Sequence, residues 1–223
     1  MLPVTLKGVI FDMDGTLLYT LDDIVDSIND TLLSWNLPVR TTQELLVYIG
    51  YGARHLCQGA SGLEGEKLDE FHRQYRQRAL LRTDSKTRAY PGIEALVYAL
   101  KAHGIKVGIY TNKPQPWTEK LAARYFKPDA FDAIVGVREG GWIKPEPGGI
   151  FDICAQWHVE VKNTVMVGDS PVDIETAHNA GIAGLGCTWG FRTRQQLESA
   201  SADVLIDDAW ALGRVLLGNE YLP

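Results

Sequence analysis

The stretch GVIFDMDGTLLYT, residues 8–20, runs from four apolar residues straight into two aspartates one residue apart, followed by a glycine. An unbroken apolar run of this length has the character of a strand covered on both faces, as in parallel sheets. Asp12 and Asp14 stand where that strand ends. Carboxylates so close repel one another and need a cation or a proton to coexist. Gly15 relieves backbone crowding at the turn that follows.

Similar short runs recur along the chain: KVGIY (106–110), AIVGV (133–137) and TVMVG (164–168), with GIAGLGC (181–187) and ADVLI (202–206) as weaker ones. Helical spacing lies between them. Ile93, Leu96, Val97 and Leu100 follow i, i+3, i+4, i+7 before a stop at Gly104; Ile150, Phe151, Cys154 and Trp157 repeat the pattern, and Trp117, Leu121 and Tyr125 mark a third helix. Alternating strands and helices with short links predict a doubly wound α/β parallel sheet. Residues 17–85 break the alternation. Leu21, Ile24, Val25, Ile28 and Leu32 form one helical stripe, TTQELLVYIG reads as a short helix capped by Thr41 or Thr42, and Leu68, Phe71, Tyr75 and Ala79 form another stripe. An all-helical insertion over 17–85, within a core made of 1–16 and 86–223, is therefore expected.

The 223 residues carry a net charge of -6, which argues against a general nucleic-acid binder. Three scattered cysteines form no CxxC pair and no disulfide framework, which points to the cytoplasm, and the scattered histidines give no zinc spacing. Nothing is long and apolar enough to span a membrane, and no secretory leader is visible.

Ligands of parallel α/β sheets sit at the carboxyl ends of the strands. Asp12 and Asp14 follow the first strand, Thr111, Asn112 and Lys113 the second, and Asp169, with Asp173 one helical turn on, another; Lys144 precedes the helix at 148. Carboxylates, a hydroxyl and a lysine converging on one edge suit phosphoryl transfer through a covalent aspartate. In this reading Asp12 is nucleophile and metal ligand, Asp169 a second ligand, and Asp14 acid and then base, its backbone carbonyl also facing the metal. Thr111 and Lys144 stabilise the transferring group. Mg²⁺ is the cation expected to offset repulsion between these carboxylates and a phosphate, with Asp173 supporting its waters. Asn112 is grouped with Thr111 as a substrate contact. Arg54, beside Gly50 and Gly52, either reaches a substrate carboxylate or is a solvated helix residue.

In sequence order, FDMDGTLLYT, YTNK, KPEP and VGDSPVDIETAHNAG resemble the motifs of the haloacid dehalogenase superfamily, in particular its phosphoglycolate phosphatase-like members with a helical cap. YIGYGARHLC resembles the cap's specificity segment and CTWGF the loop after the last core strands. The resemblance covers nearly the whole chain. It implies a Rossmann-like core, a mobile cap, Mg²⁺ dependence and hydrolysis of a small phosphorylated metabolite, phosphoglycolate by default. Two departures stand out: Tyr19-Thr20 where such members commonly read Asp-Ser, and Gly148-Gly149 after the lysine motif. Both bear on substrate choice.

Other activities fit less well. Phosphosugar mutases of the β-phosphoglucomutase type tend to have Gly-Val where this chain has Gly15-Thr16. Dehalogenases lack the second aspartate, and a phosphonate hydrolase needs a Schiff-base lysine in the insertion, where Lys67 has no apolar setting. A catalytically silent binding or regulatory homologue would have lost at least one of Asp12, Asp14, Lys144 or Asp169.

Overall fold

The computed structural model describes residue 3 and residues 5–82 and 85–218. The remaining positions within the expected spans 1–16, 17–85 and 86–223 lie outside the described residues. The chain divides into a larger unit, Met1–Tyr19 with Ala89–Pro223, and a smaller one, Thr20–Arg88. Each boundary falls three residues later than the sequence suggests. The reason is local: Leu18 is buried in the apolar core of the larger unit, and the first helix of the smaller one begins only at Leu21.

The strands are β1 (Gly8–Phe11), β2 (Leu18–Tyr19), β3 (Arg88–Ala89), β4 (Lys106–Pro114), β5 (Ala133–Val137), β6 (Thr164–Gly168), β7 (Ala183–Cys187) and β8 (Val204–Ile206). Six of them form a parallel sheet in the order β5-β4-β1-β6-β7-β8, while β2 and β3 pair separately. Gly8 of β1 lies opposite Lys106 and Thr164, and Phe11 opposite Ile109 and Val167. The chain builds outward from β1 to one side, then crosses to build the other. That reversal opens the ligand crevice at the carboxyl end of β1.

Strand alternation explains the unbroken apolar runs. Val9, Phe11, Val107, Ile109, Val165 and Val167 enter one core, and Ile10, Tyr110 and Met166 enter the other, so neither face meets water. The Trp157 ring lies against Gly8 and Gly108, where a Cβ would come within 2.6 Å of it.

The smaller unit consists chiefly of helices α1 (Leu21–Ser34), α2 (Thr42–Leu46), α3 (Ala53–Ser61) and α4 (Gly65–Leu81). Ile24, Ile28 and Leu32 of α1 and Leu68, Phe71 and Tyr75 of α4 are buried. Trp35 packs edge-on against Phe71 and donates its indole N–H to Gln74. Thr41 caps α2, with Glu44 returning the bond to the Thr41 N–H. Sequence spacing gave no apolar stripe for α3, which the sequence touches only in the alternative of Arg54 as a solvated helix residue; Gly50, Gly52, Gly59 and Gly62 in and around it interrupt the pattern. Gly59 has a packing cause: a Cβ there would fall 2.3 Å from the Tyr48 ring.

In the larger unit α5 (Ile93–Ala102), α6 (Gln115–Tyr125) and α10 (Ala209–Leu217) cover one face of the sheet, and α7 (Gly148–Trp157) and α8 (Pro171–Asn179) supply side chains to the other core. A sixth helix, α9 (Arg194–Ser199), precedes β8. Cys57, Cys154 and Cys187 are all buried and free. No helix among the described residues is long and apolar enough to cross a membrane.

Candidate active site

Asp12 continues β1 by one residue: its N–H donates to Val167 O at 2.9 Å, so its position is set by the sheet. The side chain is buried. Asp12 Oδ1 accepts from the Met13 N–H at 2.7 Å and lies 2.9 Å from Lys144 Nζ, and the Thr111 hydroxyl bonds the same carboxylate. Three groups from three segments therefore fix its rotation.

Lys144 Nζ also lies 2.5 Å from Asp173 Oδ1. The lysine is held through its backbone. Its N–H donates to Asn112 Oδ1 at 2.7 Å, and its carbonyl accepts from Asn112 Nδ2 at 3.0 Å. Asn112, expected at the substrate, thus engages both ends of its side-chain amide with Lys144. The Lys144-Pro145 peptide is cis, and the Tyr110 hydroxyl donates to Glu146 O at 2.8 Å. Gly148 and Gly149 complete this support. A Cβ on Gly148 would lie 2.2 Å from the Trp142 indole, and one on Gly149 would lie 2.4 Å from the Tyr110 ring. The glycine pair is a packing requirement of the lysine loop.

Asp169 at the end of β6 accepts from the Phe191 N–H at 2.7 Å, and Thr16 approaches its other oxygen at 3.4 Å. Two glycines allow this fit. Gly15 has φ +83, and a Cβ there would lie 2.4 Å from Asp169 Oδ2; one on Gly190 would lie 2.2 Å from Asp169 Cβ. Asp173, fully buried in the first turn of α8, directs Oδ2 to the Ser170 N–H and hydroxyl at 3.0 and 2.7 Å.

Asp12, Asp169 and Asp173 each present a carboxylate oxygen within 4.8 Å of the others, all buried. Burial raises Asp12 to about 6 against the pull of Lys144, with Asp173 adding repulsion. Asp169 is raised well above the usual carboxylate range by burial first, then by Asp173 and Asp12; the Phe191 N–H and Arg192 act in the opposite direction. Burial disfavours the Lys144 ammonium, but Asp12 and Asp173 outweigh it and raise its pKa. One ammonium within the trio does not balance three carboxylates. A hard divalent cation, which takes oxygen ligands, matches both the donor set and the residual charge.

Asp14 and Arg54 lie outside this trio. Lys113 Nζ approaches both Asp14 carboxylate oxygens, at 2.9 and 3.1 Å. Arg54 belongs to the smaller unit, where its exposed guanidinium pairs with Asp69 at 2.9 Å. Tyr19 packs edge-on against Tyr90 and Phe191. Sequence reasoning placed Lys113 at the strand end but gave it no role, and gave none to Ser170, Gly190 or the Phe191 N–H. One signal for Lys113 was present: Thr111 and Lys113 share strand parity, as do Asp12 and Asp14, and both pairs are offset by 99 residues.

The sequence profile of the haloacid dehalogenase-like hydrolases matches residues 9–186. A phosphoglycolate phosphatase of Rhodospirillum rubrum is 32% identical over 216 residues, covering 93% of this chain and 89% of the relative. One from Haemophilus influenzae is 29% identical over 214 residues, covering 91% and 94%. Among solved structures, a predicted phosphoglycolate phosphatase from Haemophilus somnus superposes with a TM-score of 0.86 at 30% identity, covering 95% of this chain and 96% of that one.

Proposed function

The chain belongs to the haloacid dehalogenase-like hydrolases, and from that premise we propose a phosphatase that hydrolyses a small phosphomonoester through a phosphorylated Asp12. The observation that carries this reading is the buried Asp12 carboxylate, fixed between Lys144 and Thr111 and within 4.8 Å of the Asp169 and Asp173 oxygens. Its similarity to phosphoglycolate phosphatases makes phosphoglycolate the first substrate to test.

In the first step an Asp12 oxygen forms a bond to phosphorus while the bond to the ester oxygen breaks. Asp14 gives its proton to the departing alkoxide. In the second step water attacks the phosphorus, Asp14 takes its proton, and the bond to Asp12 breaks to release inorganic phosphate. Lys144 and Thr111 hold charge on the transferring group. Asn112 acts by fixing Lys144 and is reassigned from substrate contact to positioning residue. Asp12, Asp169 and Asp173 would hold Mg²⁺, which supplies positive charge that lets a dianionic phosphate approach the carboxylates. The helical unit Thr20–Arg88 takes the part of the substrate-selecting cap, with Arg54 a candidate contact there.

Purified protein assayed with Mg²⁺ against phosphoglycolate, hexose phosphates and pyrophosphate tests the reading. Phosphoglycolate is expected to release inorganic phosphate fastest, chelation of the metal to stop the reaction, and Asp12→Asn to abolish it with the circular dichroism unchanged. Undiminished turnover by Asp12→Asn would sink the mechanism. An isomerised sugar phosphate in place of free phosphate would indicate a mutase.

A further inference from the structure

Lys113 has no place in the chemistry above, yet its ammonium pairs with the Asp14 carboxylate. Both Asp14 oxygens lie within 3.1 Å of Nζ, and the pair is mostly shielded, with side-chain exposures of 8% for Lys113 and 17% for Asp14. On its other side Nζ lies 5.7 Å from the centre of the Trp117 ring, so α6 limits where it can go. The backbone of Lys113 is anchored too. Its N–H donates to Thr111 Oγ1 at 3.3 Å, and the preceding Asn112 is tied to Lys144. The end of β4 thus carries two same-sided groups, Thr111 for Asp12 and Lys113 for Asp14.

We propose that Lys113 is the positioning residue for Asp14, holding its carboxyl group where it can pass a proton to the leaving oxygen. The proposal rests on the reading of Asp14 as acid and base. A short side chain at the mouth of a turn has several rotamers open to it, and a misplacement of about 1 Å can cost on the order of a hundredfold in rate. A cation held against the nearer oxygen restricts that freedom without touching the substrate and leaves the other oxygen to carry the proton.

Leaving-group dependence separates this role from a structural one. An alkoxide must be protonated as it departs, whereas p-nitrophenolate leaves without a proton. The experiment measures leaving-group release in the first turnover, with enzyme in excess and Mg²⁺ present, for an alkyl phosphate and for p-nitrophenyl phosphate. Restricting it to the first turnover isolates the step in which Asp14 acts as acid. The ratio of the two rates within one preparation is insensitive to the folded fraction.

Lys113→Met is expected to slow alkyl release about 10- to 100-fold and aryl release by less than about threefold. Lys113→Arg should restore the alkyl rate to within about threefold. Asp14→Asn should show the same selectivity with a larger loss, and adding Lys113→Met to it should change nothing further. Equal slowing of both esters by Lys113→Met, with Asp14→Asn still selective, overturns the proposal and leaves the Asp14 reading standing. A rise, for both esters, in the enzyme concentration that gives half the maximal first-turnover rate, with that maximal rate unchanged, also overturns it, making Lys113 a substrate-binding cation. Loss of selectivity in Asp14→Asn itself overturns the Asp14 reading and the proposal with it.

Discussion

Replacing Lys144 by methionine removes the one ammonium inside the buried carboxylate trio while keeping most of the side-chain volume. Nζ lies 2.9 Å from Asp12 and 2.5 Å from Asp173, with the lysine side chain only 2% exposed. At an effective dielectric constant of 20 each contact is worth roughly 6 kcal/mol of attraction, most of which offsets the cost of taking the three charges out of water. What the substitution exposes is that cost without its compensation. The metal-free protein should therefore lose about 3–5 kcal/mol at pH 8. The loss has a pH signature. Asp12 is already raised to about 6 in the folded state from an unfolded value of 3.8, and without Lys144 it must rise further. A carboxyl group with a raised folded pKa imposes no penalty below its unfolded pKa, and the penalty grows as pH rises through the folded one. The deficit of Lys144→Met should thus be largest near pH 8 and shrink toward pH 5. Urea unfolding with a chelator present, followed by tryptophan fluorescence at both pH values, measures it. A deficit under about 0.5 kcal/mol at pH 8, or one that does not change with pH, would refute the reasoning.

Protons and metal compete for the same oxygens, and both Asp12 and Asp169 are raised. Divalent-cation affinity should fall as pH drops through about 6, which titration calorimetry of the wild type reads directly; a flat profile would contradict the site. Gly15→Ala places a Cβ 2.4 Å from Asp169 Oδ2 at a backbone φ of +83. About 1–2 kcal/mol of stability should be lost to backbone strain, and metal affinity should drop about 10- to 100-fold. Asn112→Ala removes both bonds that hold the Lys144 backbone. It should lower kcat on the order of tenfold or more with KM nearly unchanged, whereas a substrate contact would raise KM.

The parallel sheet was legible because burial on both faces leaves a plain mark: Val9 and Phe11 pack one way and Ile10 the other, so the run has no polar gap. Asp12, Thr111 and Asp169 were legible for a related reason, since residues at strand ends share one edge of the sheet, while Lys144 was legible from its place in KPEP just before a helix. Other features leave weaker marks. The Phe191 N–H that fixes Asp169 belongs to the backbone, so any residue at that position supplies it. Gly148 and Gly149 read as a departure from the pattern until the Trp142 and Tyr110 rings that require them are seen. Asn112 carries a polar side chain beside Thr111, but strand alternation turns it toward Lys144. The late boundary at Tyr19 follows from a buried Leu18 that looks no different from the helical leucines after it.

The central claim is that Asp12 carries the phosphoryl group during turnover. Rapid quenching of the protein with Mg²⁺ and its best phosphomonoester, followed by peptide mass spectrometry, tests it most directly. The expected result is one phosphoryl group on the peptide containing Asp12, formed within the first turnover and absent in Asp12→Asn. Hydrolysis that proceeds while that peptide stays unmodified, or with the phosphoryl group on another residue, would contradict the account.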